Sequence, residues 1–168
     1  MTTNGKGHST SGGENSAQAY SPAVVSQTFL DFIESKELFC KRLEMAADLL
    51  PDGIEAQDCL LLAQSVVPLI KRAHEFEEQV IFPALLAATE APTGLPQTID
   101  RLRFEHLGDE EFASDLCISL RQFVIDRNSA NIDALSWMLR GFFEGLRRHI
   151  AYERDHILPL VQKQQASH

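Results

Sequence analysis

The sequence predicts an all-α protein, an antiparallel four-helix bundle, and three observations carry that prediction. Apolar residues recur at steps of three and four along most of the chain. The runs break at LPDG (50–53), TEAPTGLP (89–96) and DRNSAN (126–131), each rich in the Pro, Gly, Asn or Asp that punctuates helices. No alternating run is long enough to build a sheet. Four helical segments follow, about 22–50, 54–88, 97–126 and 131–163, and their short connections favour antiparallel neighbours.

Composition narrows the rest. A chain of 168 residues with 44% hydrophobic content suits one domain with a real core. Residues 1–21 are mostly Gly, Ser, Thr and Asn, so ordering them would cost entropy without burial in return; a disordered tail is expected there, with His8 a surface histidine, and the folded domain at 22–168. The net charge of −9 and the scatter of Lys and Arg argue against nucleic acid as a partner. Cys40, Cys59 and Cys117 form no C-x-x-C pair and sit among apolar residues, as reduced core thiols do. No segment has the uncharged length of ~20 residues that a membrane span needs. A soluble cytoplasmic protein, monomer or homodimer, is expected.

The apolar stripe of each helix can be followed residue by residue. In the fourth segment it runs Leu135, Leu139, Phe142, Leu146, is interrupted by His149 and Glu153, and resumes at Ile157 and Leu160. In the second it runs Ala63, Val67, Ile70, then His74 and Glu78, and resumes at Ile81 and Leu85. Ile99 and Leu102 lead the third to His106 and Glu110, followed by Ala113, Cys117, Leu120 and Val124. Pro68 should kink the second helix or mark a late start. The first stripe, Phe29, Phe32, Ile33, Cys40, Leu43, Ala47 and Leu50, is interrupted by Lys36. That lysine either enters the same interior site or snorkels past the stripe to solvent.

Three H-x-x-x-E pairs in mid-stripe point to a metal. The i, i+4 spacing puts both side chains on one face about 5.4 Å apart along the axis, within reach of a common ion. Buried carboxylates cost several kcal/mol each and repel one another, so a cation is required among them. Imidazole with carboxylate is a donor set for iron, manganese or zinc. The candidate ligands are His74, Glu78, His106, Glu110, His149 and Glu153. His156 lies beside the stripe and reads as solvated, Arg147 and Arg148 as an outer face, and the run Asp109 to Glu111 as having one inward member at most. Trp137, Met138, Phe142 and Phe143 read as core packing.

The segments HEFEEQVIFPAL (74–85), RFEHLGDEEFASDL (103–116) and LRGFFEGLRRHIAYERDHILPLV (139–161) resemble the hemerythrin-like, or HHE cation-binding, family. The resemblance spans most of 22–163. It implies an up-down-up-down bundle holding a non-haem di-iron centre, with His74, His106 and His149 as terminal ligands and Glu78 and Glu153 as bridging carboxylates. Glu110 falls where many members carry a second histidine on the third helix. Two features depart from the family. Lys36 stands at the depth of the usual first-helix histidine, and pairing it with a site carboxylate would weaken or abolish one metal position. The second helix is also one residue shorter between His74 and Phe82-Pro83 than the fourth is between His149 and Leu158-Pro159. Matching the Pro anchors would make Glu77 the ligand and set Ala73 opposite His149; counting from His74 selects Glu78.

The expected function is a metal-binding bundle with one or two irons, which binds or senses O2 or NO or holds iron. No nucleophile with a base and no phosphate loop is evident, and an enzyme is the less favoured reading. The alternatives are an iron-dependent oxidase or peroxidase-like enzyme, and a metal-free interaction scaffold in which Lys36 supplies the charge.

Overall fold

Caps and breakers in the sequence set the limits of each helix in the computed structural model, which describes residues 21–166. Ser21 accepts a hydrogen bond from the Val24 N–H to open α1 (Pro22–Leu49), and Pro22 occupies the first turn, where a helix does not need its missing donor. The expected tail of residues 1–21, with His8, lies outside the described residues apart from this capping serine.

Glu55 precedes α2 (Ala56–Phe76), and Pro68 stands inside that helix without ending it. The rod continues through a π-helical turn, Glu77–Ile81, into α3 (Phe82–Leu86). Gly94, at φ 86°, adopts the left-handed conformation that glycine tolerates and leads into α4 (Leu95–Ile125). Asn131 accepts from the Ala134 N–H to begin α5 (Ile132–Tyr152), which passes through a second π-helical turn, Glu153–Ile157, into α6 (Leu158–Ala166). Four rods therefore replace the four predicted segments nearly end for end, with no strand among the described residues.

The two π turns have a common local cause. Each is followed at its second residue by a proline, Pro83 or Pro159. A proline ring clashes with the carbonyl four residues back, here Gln79 or Asp155, and lacks the N–H that would bond to it. A turn widened by one residue relieves both problems, and the Phe82 and Leu158 N–H groups reach back five residues to the Glu77 and Glu153 carbonyls.

The rods form an up-down-up-down bundle in which α1 packs on α5 and α6, α2 packs on α4, and the α1–α2 and α4–α5 contacts close the four sides. One continuous core runs along it, including Phe29, Ile33, Leu43, Ile70, Phe82 and Leu139. Phe142 is buried and meets Phe112 edge-on with ring centroids 5.4 Å apart. Cys40 and Cys59 are buried free thiols and Cys117 is half-buried. Trp137 departs from expectation: it is 78% exposed, because it lies off the Leu135, Leu139, Phe142 stripe that faces the core. No helix among the described residues is long and apolar enough to cross a membrane.

Phe142→Ala should cost about 3–5 kcal/mol in urea denaturation through the cavity it leaves, whereas Trp137→Ala should stay within about 0.5 kcal/mol.

Candidate metal centre

Midway along the bundle the apolar core gives way to seven groups from all four rods. Lys36 of α1, His74 of α2, His106 of α4 and His149 of α5 are buried, together with Glu77 and Glu153, the first residues of the two π turns. Glu78, 41% exposed at its side chain, lies at the edge of this group.

Lys36 has no exposure at all, so the snorkelling alternative does not hold. Its ammonium sits 2.6 and 2.7 Å from the two Glu153 oxygens and 3.0 Å from Glu77 Oε1. These bonds use all three of its donors. Burial opposes the lysine's charge, but the Glu153 and Glu77 carboxylates outweigh it and hold its pKa above the ordinary lysine value. For Glu153, burial favours the neutral acid, yet the charges and contacts of Lys36 and His149 keep it well below the usual carboxylate range.

The three imidazoles face the same interior space, each offering a ring nitrogen, all within 4.8 Å of one another. His74 and His106 stack nearly parallel, at 8°, with centroids 3.8 Å apart. On the outer side, His74 Nδ1 meets Glu110 Oε1 at 3.2 Å, His106 Nδ1 meets Glu78 Oε1 at 2.8 Å, and His149 Nδ1 meets Glu105 Oε2 at 3.2 Å. A carboxylate only accepts, so each of these contacts places a proton on Nδ1 and leaves Nε2 to face inward.

The inner nitrogens then lack partners. His74, His106 and His149 Nε2 and Glu77 Oε2 are buried without a hydrogen bond. His106 Nε2 and Glu77 Oε2 lie 3.2 Å apart and His149 Nε2 and Glu153 Oε1 2.8 Å apart, but neither contact has hydrogen-bond alignment. Burial works against a charge on His149, but its contact with Glu153 prevails and raises its pKa. His74 has no carboxylate against its inner nitrogen. Burial, reinforced by the charges of His106 and Lys36, pushes its pKa down to about 2, so its ring is neutral. A neutral imidazole with Nδ1 engaged and a bare, buried Nε2 is a ready metal ligand, and without a cation it carries a desolvation cost of about 1–3 kcal/mol.

The sequence and the structure differ on two acids. Glu78, expected among the ligands, is half-buried and turned to the His106 outer edge, and Glu77 takes the interior position. The offset of His74 is the reason: measured from the two prolines, Glu77 matches Glu153 but His74 stands one residue after the place of His149, so a count of four from His74 passes Glu77 and lands on Glu78. Ala73, fully buried, stands where the other rod has His149. Glu110, also expected among the ligands, is half-buried on the outer side of His74. Glu105, which the stripes did not single out, stands one residue before His106 and its only sequence signal is that proximity. His156 is exposed, as its position beside the stripe implies. Cys40, one turn from Lys36, has its pKa pushed up to about 11 by burial and stays a thiol, its sulfur 3.8 Å from the Phe143 carbonyl.

Imidazoles and carboxylates gathered in the core of a four-helix bundle define a cation-binding helical protein. Residues 36–161 match the family model described as Hemerythrin HHE cation binding domain, and the chain belongs to that family. No curated protein and no solved structure matches it.

Lys36→Met would leave Glu77 and Glu153 buried without their cation and should destabilise the metal-free protein by about 3–5 kcal/mol in denaturant titration. By contrast Arg154→Ala, which breaks a partly exposed pair with Glu37, should cost under about 1 kcal/mol.

Proposed function

We propose that this chain holds a single iron ion on His74, His106, His149 and Glu77, with the Lys36 ammonium standing in the second cation position of the bundle. The observation that carries the reading is the set of four buried polar atoms without partners, three imidazole Nε2 atoms and Glu77 Oε2. They form an N3O donor set of the kind that suits iron, manganese or zinc.

Two candidate groups of donors exist, His74 with His106 and His149, and Glu77 with His149 and Glu153. The ammonium of Lys36 already lies on the carboxylates of the second. That second group has no imidazole of its own, since its one histidine, His149, is shared with the first. Charge supports the same conclusion. Two divalent ions beside the buried Lys36 ammonium would bury a large excess of positive charge.

Iron is generally six-coordinate when bound by histidine and carboxylate, so four protein donors leave room for a small ligand. The function that follows is the binding or sensing of a diatomic such as dioxygen or nitric oxide, or the holding of iron. One observation favours a metal-free scaffold instead, the neutralisation of Glu153 by Lys36; the bare Nε2 of His74 speaks against it.

Protein purified without chelator should carry close to one iron per chain by elemental analysis. Chelation should lower its melting temperature, because an ion bound only to the folded state stabilises it. His74→Ala should abolish retention, and Lys36→His should raise the ratio toward two. A chain with no iron, manganese or zinc, whose melting is unmoved by adding them, would contradict the proposal.

A further inference from the structure

The H-x-x-x-E motif does two different things in this chain. On the fourth rod His149 and Glu153 both point inward, whereas on the second and third rods the histidine points inward and the glutamate outward. The outward glutamates are not idle. Glu78 follows His74 in sequence but contacts the ring of His106, at 2.8 Å, and Glu110 follows His106 but contacts the ring of His74, at 3.2 Å. Because the two rods are antiparallel, each i, i+4 pair supplies one inward imidazole and one carboxylate for the imidazole opposite. The result is a crossed brace between α4 and the α2 rod.

We propose that Glu78 and Glu110 are positioning residues that lock His106 and His74 in the Nδ1–H tautomer, so that each presents a bare Nε2 to the ion. The assignment rests on the reading of the cluster as a metal site. Both acids are placed for this work. Their side chains are 41% and 31% exposed, so each keeps part of its hydration and carries its charge at little desolvation cost, while the oxygen nearest the ring stays fixed. A carboxylate on Nδ1 also makes the opposite nitrogen a stronger donor. In the other tautomer, Nε2 would aim a proton at the cation and the ring could not ligate. Stacking leaves little room to escape by rotation, because the His74 ring lies 3.8 Å from that of His106, with Phe82 5.8 Å from the latter. Glu105 occupies the same outer place on His149, but that ring touches Glu153 on its inner side at 2.8 Å; His106 touches Glu77 there at 3.2 Å, so His74 gives the cleanest test.

The tautomers can be read without any metal, from long-range nitrogen–proton correlations of the imidazoles in 15N-labelled, metal-free protein. The wild type should show His74 and His106 protonated at Nδ1. Glu110→Ala should shift only His74 away from that form, and Glu78→Ala only His106. Glu110→Gln, whose amide oxygen still accepts from Nδ1–H, should restore His74. Zinc affinity, measured against a competing chelator, should fall about 10–100-fold in each alanine variant and recover in part with glutamine. Tautomers unmoved by the two alanine substitutions would overturn the assignment whatever metal the protein takes up. The expected tautomers in a wild type that binds no zinc, iron or manganese would overturn the metal reading instead and leave the pairing of acids with rings standing.

Discussion

Two carboxylates buried in the middle of a helical core must be met by positive charge, and the Lys36 ammonium meets both. Glu77 and Glu153 come from different rods, and neither has meaningful exposure. Unpaired, each would cost several kcal/mol even after relaxation. The ammonium lies within 3.0 Å of both, which ties α1 to the second and fourth rods at one depth. Beside the ammonium stand three imidazole Nε2 atoms and Glu77 Oε2, buried and without hydrogen-bond partners.

Much of this was legible in the sequence, and the part that was not has a definite physical origin. The helical stripes follow the 3.6-residue period, which survives long helices well, and the breaks at 50–53, 89–96 and 126–131 coincide with the observed connections. His74, His106 and His149 were visible as interruptions of that period, as was Lys36. A count of four from His74 misses Glu77 because His74 stands one residue later on its rod than His149 does on the other, which puts the inward glutamate at i+3. The Pro83 and Pro159 anchors held the correct phase, and matching them identifies Glu77. Glu110 lies on the outer side of His74, and a stripe cannot tell a side chain that faces the interior from one set against a neighbouring ring. Trp137 was placed in the core on residue type alone, where its angular position should have decided.

Membership of the HHE family describes a cation-binding bundle, and this chain buries a lysine inside it. A lysine takes the place on α1 and an alanine, Ala73, the place on α2 that corresponds to His149. Lys36 bonds Glu153 and Glu77, and Ala73, one turn before Glu77, offers no donor atom. Three imidazoles remain, each with an acid on its outer nitrogen. This arrangement suits a centre that uses one fixed charge from the protein and one exchangeable charge from solution.

Binding of a single ion requires Lys36 to hold the second position while the ion occupies the first. Anomalous diffraction from crystals grown with iron or manganese tests this most directly. One peak bounded by His74, His106 and His149, with the Lys36 ammonium still seated on Glu153, is the predicted result. Two peaks about 3.5–4 Å apart, the spacing of two-metal sites, with Lys36 displaced from the carboxylates, would contradict it.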